Sequence, residues 1–286
     1  MRPGRARFRH WVQGRPSSGT PRCYPWAVNY AALASGSKGN CHAFSDGRRT
    51  LLVDVGISLK QIRLRMEEIG WDIGQVGAVA LSHEHSDHIR AVPILLRHTD
   101  WVFMVTAETL AAVNAIHGID IPPSRLIPLR AGHAADWNGV RVLPFTTPHD
   151  AVDPVAYRLE WDGFQAAVVT DLGHPTALVA DHCAGLDLLA LEANHDVQML
   201  REGGYPAALK ARILGRLGHL SNESMGELLA GVLGPRLRTV VLSHLSEQNN
   251  DPALARLAAA EVLRHSTTAL HLARQDGPLL VAAPAP

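Results

Sequence analysis

The fold of this chain is decided by seven residues, SHEHSDH, at positions 82–88. The apolar run before them predicts a buried strand, and the helical periodicity after them predicts a helix. In an extended segment His83 and His85 project to the same side, while Asp87 and His88 fall on the turn into the helix. The stretch therefore predicts a cluster of metal ligands at the end of a strand.

Imidazole and carboxylate ligands together suit Zn²⁺, with Mn²⁺ or Fe as the alternatives. Four ligands on one tight turn cannot surround a single ion without strain, so we expect two divalent ions ~3.5–4 Å apart that share a bridging hydroxide. Two ions need further ligands. Three candidates each follow an apolar run, as His83 does: His149, Asp171 and His244.

The apolar runs along the chain predict mostly strands, followed by strand–helix alternation. Predicted strands lie at 27–33, 50–55, 76–81, 101–105, 140–145, 155–161, 164–170, 186–191, 239–242 and 269–273. Predicted helices lie at 58–69, 89–98, 107–116, 221–233 and 252–263, the fourth with Ser221 as its N-cap. This order favours two sheets with helices outside them.

The composition is that of a soluble globular protein, with 47% hydrophobic and 19% charged residues in 286. No apolar run approaches the ~20 residues that a membrane-spanning helix needs. The three cysteines show no C-x-x-C spacing, so we expect free thiols, two of them packed, in a reducing compartment such as the cytoplasm.

The net charge is zero but unevenly distributed. Residues 1–45 hold six arginines and Lys38 and no acidic residue; without those arginines, 21 basic residues face 27 acidic ones, a formal charge of −6. A nucleic acid would therefore need a local basic patch. Residues 1–26 lack periodicity and are rich in Arg, Gly, Pro and Ser, which predicts a disordered extension before one domain at 27–286.

The HxHxDH motif, followed by a lone His, a lone Asp and a final His at strand ends, resembles the metallo-β-lactamase superfamily over about residues 28–275. The resemblance implies an α/β (α+β) fold, a four-layer αββα sandwich with two zinc ions at one edge. By position, the first ion would be held by His83, His85 and His149, and the second by Asp87, His88 and His244. Asp171 would bridge the two ions, and Asp54 would support the site without binding metal.

Residues 33–41, 218–222 and 242–250 are similar to the YycJ/WalJ branch, whose members are regarded as DNA exonucleases with a proposed role in mismatch repair. This resemblance implies a DNA substrate. In related branches a histidine near the position of His219 protonates the leaving oxygen, which implies that His219 is the general acid. Asp87 is the second residue predicted to be catalytic. The competing interpretation of His219 is a helix-cap histidine.

Three other functions remain open. A small-molecule hydrolase acting on a lactone, thioester or cyclic nucleotide would have the same metal site, and the charge of −6 favours it slightly. The second alternative is a redox di-iron protein, but such proteins usually carry Glu at the position of His85. The third is a metal-free binding module, and the presence of every expected ligand argues against it. The 35–40 loop is either a turn or an anion-binding loop, and His195 or Asp196 is a candidate support for the ligands.

Overall fold

The computed structural model describes residues 28–282, so the predicted extension at 1–26 and Cys23 lie outside the described residues. Two seven-stranded sheets form the centre of the molecule. The first contains β1 (Asn29–Ala34), β2 (Cys41–Ser45), β3 (Thr50–Val53), β4 (Val76–Ala80), β5 (Val102–Thr106), β6 (Leu126–Leu129) and β14 (Leu279–Val281). The second contains β7 (Ala135–Trp137), β8 (Val140–Thr146), β9 (Val155–Trp161), β10 (Phe164–Val169), β11 (Leu188–Glu192), β12 (Thr239–Ser243) and β13 (Ala269–Leu272).

Strand order groups the parallel strands in one half of each sheet. The first sheet runs β14-β1-β2-β3-β4-β5-β6, and the second runs β13-β12-β11-β10-β9-β8-β7. Strands β3 to β6 are parallel, as are β10 to β13. Because β8 and β10 are both antiparallel to β9, β8 points the same way as β10. The carboxyl ends of β8, β10, β11 and β12 therefore share one edge of the second sheet.

Helices cover the outer faces of both sheets. They are α1 (Leu59–Glu68), α2 (Ser86–Ile89), α3 (Val92–His98), α4 (Ala107–His117), α5 (Ala177–Cys183), α6 (Val197–Glu202), α7 (Ala207–Leu214), α8 (Asn222–Val232) and α9 (Pro252–Leu263). None of the helices within residues 28–282 has the length and apolar character needed to cross a membrane.

Three buried clusters hold the layers together. Aromatic side chains fill the space between the sheets, with Tyr30 and Phe44 from one and Tyr157 and Trp161 from the other. A second cluster packs α1, α3 and α4 onto the first sheet, and a third packs α5, α8 and α9 onto the second. Apolar burial on both faces of each sheet stabilises this arrangement. The predicted four-layer αββα sandwich is confirmed.

A predicted helix cap and the predicted free thiols are present in the structure, whereas one predicted helix is divided in two. Ser221 caps α8, since its Oγ accepts a hydrogen bond from Ser224 N at 3.2 Å, and Cys41 and Cys183 are buried free thiols. The helix predicted at 89–98 is instead two helices, α2 and α3, that meet near Arg90. Pro93 lies in the first turn of α3 and has no N–H to continue the ladder from α2.

The 35–40 loop between β1 and β2 is a turn whose amides bond within the protein. Gly36 N donates to Asn40 Oδ1 at 2.9 Å, Lys38 N to Gln275 Oε1 at 2.8 Å, and Asn40 N to Asp87 O at 2.8 Å. Because these donors are already used, the structure favours the turn over an anion-binding loop. The loop fixes Asn40 against the helix that carries Asp87.

Candidate metal centre

Ligand-type side chains leave the strands of both sheets at the same edge of the sandwich. Asp54 follows β3, the HxHxDH stretch follows β4, His149 follows β8, Asp171 follows β10 and His244 follows β12. Three of them have left-handed backbones, with φ of 61° at Asp54, 57° at Asp171 and 55° at His244. Non-glycine residues in this region are strained, and such strain clusters at functional sites. The chain thus bends sharply here to turn these side chains inward.

The first group consists of three imidazole rings whose nitrogens face each other. His85 Nδ1 lies 3.0 Å from His83 Nε2 and 3.3 Å from His149 Nε2. These atoms come from β4 of one sheet and β8 of the other, so both sheets build the group. Burial lowers the pKa of His83 well below its usual value and also lowers the pKa of His149. The neutral His83 and His149 rings can therefore direct lone pairs to a common point.

The second group consists of Asp87, His88 and His244. Asp87 Oδ2 lies 3.5 Å from His88 Nε2 and 3.6 Å from His244 Nε2. Asp171 lies between the two groups, with Oδ2 3.0 Å from His88 Nε2 and Oδ1 3.5 Å from His149 Nε2. The structure thus brings all seven predicted ligands into one cluster, with Asp171 in contact with both groups.

Each histidine that presents Nε2 has its Nδ1 bonded to a fixed partner. His83 Nδ1 lies 2.9 Å from Ser82 Oγ, which itself donates to Asp54 Oδ2. His88 Nδ1 lies 2.7 Å from Asp54 Oδ2, and His149 Nδ1 lies 3.0 Å from Gly218 O. A proton on Nδ1 that is held this way leaves Nε2 as a lone-pair donor, which is how proteins orient metal-binding histidines.

The buried carboxylates make the cluster favourable for positive charge. Although burial raises their pKa values, the neighbouring His88 and His244 rings hold the pKa of Asp87 and of Asp171 below the usual range. The same contacts act in reverse, since Asp171 raises the pKa of His88 and of His244 against the effect of burial. Buried carboxylates that favour protonated rings in this way also favour a bound cation in place of those protons.

The atoms that remain unsatisfied fit a metal ion. The buried His244 Nε2 has no hydrogen-bond partner among residues 28–282, although its Nδ1 is bonded to Glu192. Ligand atoms of His83, His85 and His149 all lie within 4.8 Å of one another, as do those of Asp87, His88 and His244. Imidazole and carboxylate donors at this spacing have the chemistry of a divalent-metal site.

His219 lies beside the cluster with its ring held by Glu192. Its Nδ1 is 2.8 Å from Glu192 Oε1 and 3.4 Å from Asp171 Oδ1, and 21% of its side chain is exposed. Although burial lowers it, the Glu192 carboxylate raises the pKa of His219 overall. His219 N bonds to Ile213 O, and Ser221 rather than His219 caps α8. The His219 ring is therefore held by the Glu192 side chain and does not cap the helix.

Two residues of this site were not identified from the sequence. Glu192 is buried, and its Oε1 accepts from His219 Nδ1 and from His244 Nδ1 at 2.9 Å. Its position at the end of a predicted strand, in the stretch from which His195 and Asp196 were selected, was the available signal. Asp196 instead caps α6 by accepting from Met199 N. The second residue is Asn40, whose Nδ2 lies 3.2 Å from His88 Nε2.

Comparison with known proteins gives a consistent family match. The profile described as "Beta-lactamase superfamily domain" matches residues 49–245. The chain is 32% identical to exodeoxyribonuclease YycJ of Bacillus anthracis over 82% of its length and 89% of that protein. It is 35% identical to exodeoxyribonuclease WalJ of Streptococcus pneumoniae over 82% of its length and 87% of that protein.

Solved structures share the fold at lower sequence identity. The metallo-β-lactamase fold protein YhfI of Bacillus subtilis superposes with a TM-score of 0.66 and 16% identity, covering 89% of this chain and all of that one. Zn²⁺-bound PqqB of Methylobacterium extorquens superposes with a TM-score of 0.62 and 18% identity, covering 87% and 99%. At sequence identities this low, the structural similarity shows a shared fold and nothing further.

Proposed function

Since the chain belongs to the metallo-β-lactamase superfamily, and within it to the branch of the exodeoxyribonucleases YycJ and WalJ, we propose that it is a DNA exonuclease with a dinuclear metal site. The chain is an enzyme of a hydrolase family. The observation that carries the finer proposal is Asp171, whose two carboxylate oxygens contact one histidine from each ligand group. The mismatch-repair role and cytoplasmic location implied by the resemblance belong to the same proposal.

The ligand roles follow from the two groups of facing atoms. His83, His85 and His149 would hold one divalent ion, Asp87, His88 and His244 the other, and Asp171 would contact both. Zn²⁺ is the ion we propose, and Mn²⁺ is the alternative that the same donors accept. When bound, two such ions lower the pKa of a water molecule and neutralise charge that develops on the phosphate oxygens.

Asp87 and His219 have complementary protonation states. Although burial raises it, the nearby His88 and His244 rings lower the pKa of Asp87, so its ionised carboxylate can accept a proton from the attacking water and orient it. The Glu192 carboxylate favours the protonated ring of His219, which can donate its Nε2 proton to the departing oxygen. Glu192 is thus a positioning residue that acts through His219.

The small-molecule hydrolase remains the competing proposal, supported by the formal charge of −6 outside the N-terminal arginines. Local charge favours DNA instead. Residues 211–219, which end at His219, contain Arg212 and Arg216 and no acidic residue. A local basic surface is what a nucleic acid requires of a protein without net positive charge.

The decisive experiment supplies the purified protein with Zn²⁺ or Mn²⁺ and four substrates. These are end-labelled single-stranded DNA, double-stranded DNA, RNA and bis(p-nitrophenyl) phosphate. We expect stepwise shortening of DNA that stops on addition of EDTA. Cleavage of the generic ester with every polymer left intact would overturn the exonuclease and support the small-molecule hydrolase. Cleavage of RNA alone would replace the DNA substrate with RNA.

A further inference from the structure

A cavity of about 160 Å³ lies beside His219, between α7 and the loop from β1 to β2. Its wall includes Ser37, Tyr205 and Arg212 together with His219. Pockets that enclose a whole drug-sized ligand span roughly 300–1,000 Å³. The cavity is therefore too small to enclose such a ligand whole and can hold only part of a larger substrate.

Arg212 lines this cavity and is held in place through its Nε. Its Nε donates to Asp150 Oδ2 at 2.5 Å, and Asp150 directly follows His149. The Asp150 backbone N donates to Leu217 O at 3.1 Å, so both ends of this ion pair are tied to the site. Among the described residues no hydrogen bond engages the two terminal nitrogens of Arg212. A guanidinium held through Nε with both terminal amino groups free matches the oxygens of a phosphate.

Tyr205 supplies an aromatic surface in the same cavity. The residue is half-buried and lies directly before Pro206, which caps α7 and restricts the backbone at this point. Within residues 28–282 no aromatic or cationic side chain stacks on the Tyr205 ring. Aromatic rings of this kind bind bases of single-stranded nucleic acids regardless of sequence.

We propose that this cavity is the subsite for the nucleotide that carries the leaving oxygen, with Arg212 binding the phosphate next to the scissile one and Tyr205 stacking on the base. The inference rests on the proposed function, because His219 defines the leaving side only if it protonates the leaving oxygen. It adds to that function a requirement for a charged phosphate beside the scissile linkage. The substrate class is thereby narrowed to a chain of nucleotides.

The first test measures KM for single-stranded DNA in four variants whose thermal midpoints are compared with that of the wild type. We expect Arg212→Ala and Tyr205→Ala to raise KM at least tenfold, and Tyr205→Phe to stay within twofold of the wild type because the ring is retained. Lys210→Ala is the matched control. It removes one positive charge from α7, but Lys210 bonds to Arg201 O and does not line the cavity. We expect it to change KM less than twofold.

The second test removes charge from the substrate instead. One oligonucleotide lacks its terminal phosphate, and the others each carry one neutral methylphosphonate linkage, moved stepwise away from the cleaved end. For the wild type, loss of charge at one position should raise KM at least tenfold. With the substrate that is neutral at this position, Arg212→Ala should raise KM by less than a further twofold. The subsite would be overturned if the wild type cleaved DNA but no neutral position reduced the effect of Arg212→Ala on KM. It would also be overturned if Arg212→Ala and Lys210→Ala raised KM equally. Either result would leave the exonuclease proposal intact. A wild type that cleaves no DNA would overturn both.

Discussion

The orientation of individual rings determines what this site can do. His83, His88, His149 and His244 each have Nδ1 bonded to an oxygen, so their Nε2 atoms point into the cluster. Two of those oxygens belong to carboxylates, Asp54 and Glu192, that lie outside the proposed ligand set. The ability of these histidines to bind metal therefore depends on the residues that hold their Nδ1 atoms. Removing a ligand and removing such a supporting residue should have different effects on activity.

Removal of a proposed ligand should stop the reaction without unfolding the protein. We expect Asp171→Ala and His85→Ala each to lower kcat for DNA hydrolysis on the order of 10³-fold or more, since each loses a contact to an ion that stabilises the transition state. Steady-state kinetics with circular dichroism as a check on folding would measure this. Asp181→Ala, on the exposed surface of α5, is the matched carboxylate control. Unchanged turnover in either site variant would contradict the metal assignment.

Glu192→Gln tests the positioning role through the pH profile. The carboxylate raises the pKa of His219, so the protonated ring persists to higher pH than it would without that partner. Activity that needs the protonated form is present below this pKa and is lost as the pH rises through it. In Glu192→Gln the pKa of His219 falls, and the alkaline limb of kcat should move to lower pH, with kcat reduced about 10- to 100-fold. If kcat fell but the alkaline limb of its pH profile did not move, Glu192 would support the structure of the site without setting the pKa of His219.

Much of this site was predictable because its ligands share a local signal. His149, Asp171 and His244 each follow an apolar strand, and parallel strands bring their carboxyl ends to one edge. Glu192 is the last residue of β11, at the same edge of the sheet, but belongs to no dense motif. Its role depends on the approach of the His219 loop and of β12, which are contacts across long sequence separations that no local pattern encodes.

At the scale of elements, the turn from β3 and the short helix α2 are packed backbone to backbone. Val55 N donates to His88 O at 2.7 Å, and Gly56 N donates to Asn40 O at 2.8 Å. A Cβ on Gly56 would lie 1.6 Å from Asp87 O. Glycine is therefore required here by contact with α2, the helix that presents Asp87 and His88.

Gly56→Ala should displace α2 and with it two proposed ligands. The clash is with backbone that cannot rotate away, so we expect a loss of stability of at least ~1–3 kcal/mol and loss of hydrolysis. Gly231→Ala is the matched control, since its Cβ would meet nothing within 4 Å and it lies in the last turn of α8. Alanine there should leave stability unchanged or raise it by up to about 1 kcal/mol. Denaturant unfolding would measure both. A Gly56→Ala protein as stable as the wild type would contradict the packing argument.

Long apolar runs were predictable as elements, and short or polar ones were not. Strands β4, β8, β9, β10 and β12 coincide with predicted runs because most of their residues are apolar and buried. Strand β2 was missed since its sequence, CHAFS, is mixed in polarity, although all five residues are buried. Helices α5, α6 and α7 have six to eight residues each, too few for a helical period to stand out.

At the scale of the molecule, the proposed metal centre joins the two halves of the sandwich. His83, His85, Asp87 and His88 follow a strand of the first sheet, whereas His149, Asp171 and His244 follow strands of the second. Each ligand group contains residues from both sheets. Bound ions would therefore act as cross-links between layers that otherwise meet through the apolar core.

Metal removal should consequently lower the stability of the whole domain, because an ion that binds only the folded state stabilises it by mass action. At a free ion concentration of about 1,000 times Kd that contribution is about 4 kcal/mol, and a domain of this size gains roughly 2–4 °C in Tm per kcal/mol. We expect the Tm measured by calorimetry to fall by roughly 8–16 °C after exhaustive chelation and to return with Zn²⁺. Asp171→Ala, which loses the residue in contact with both groups, should show a much smaller response to chelation. If the Tm of the wild type changed neither with chelator nor with added Zn²⁺ or Mn²⁺, the proposal that bound ions connect the two sheets would be wrong, whatever the substrate.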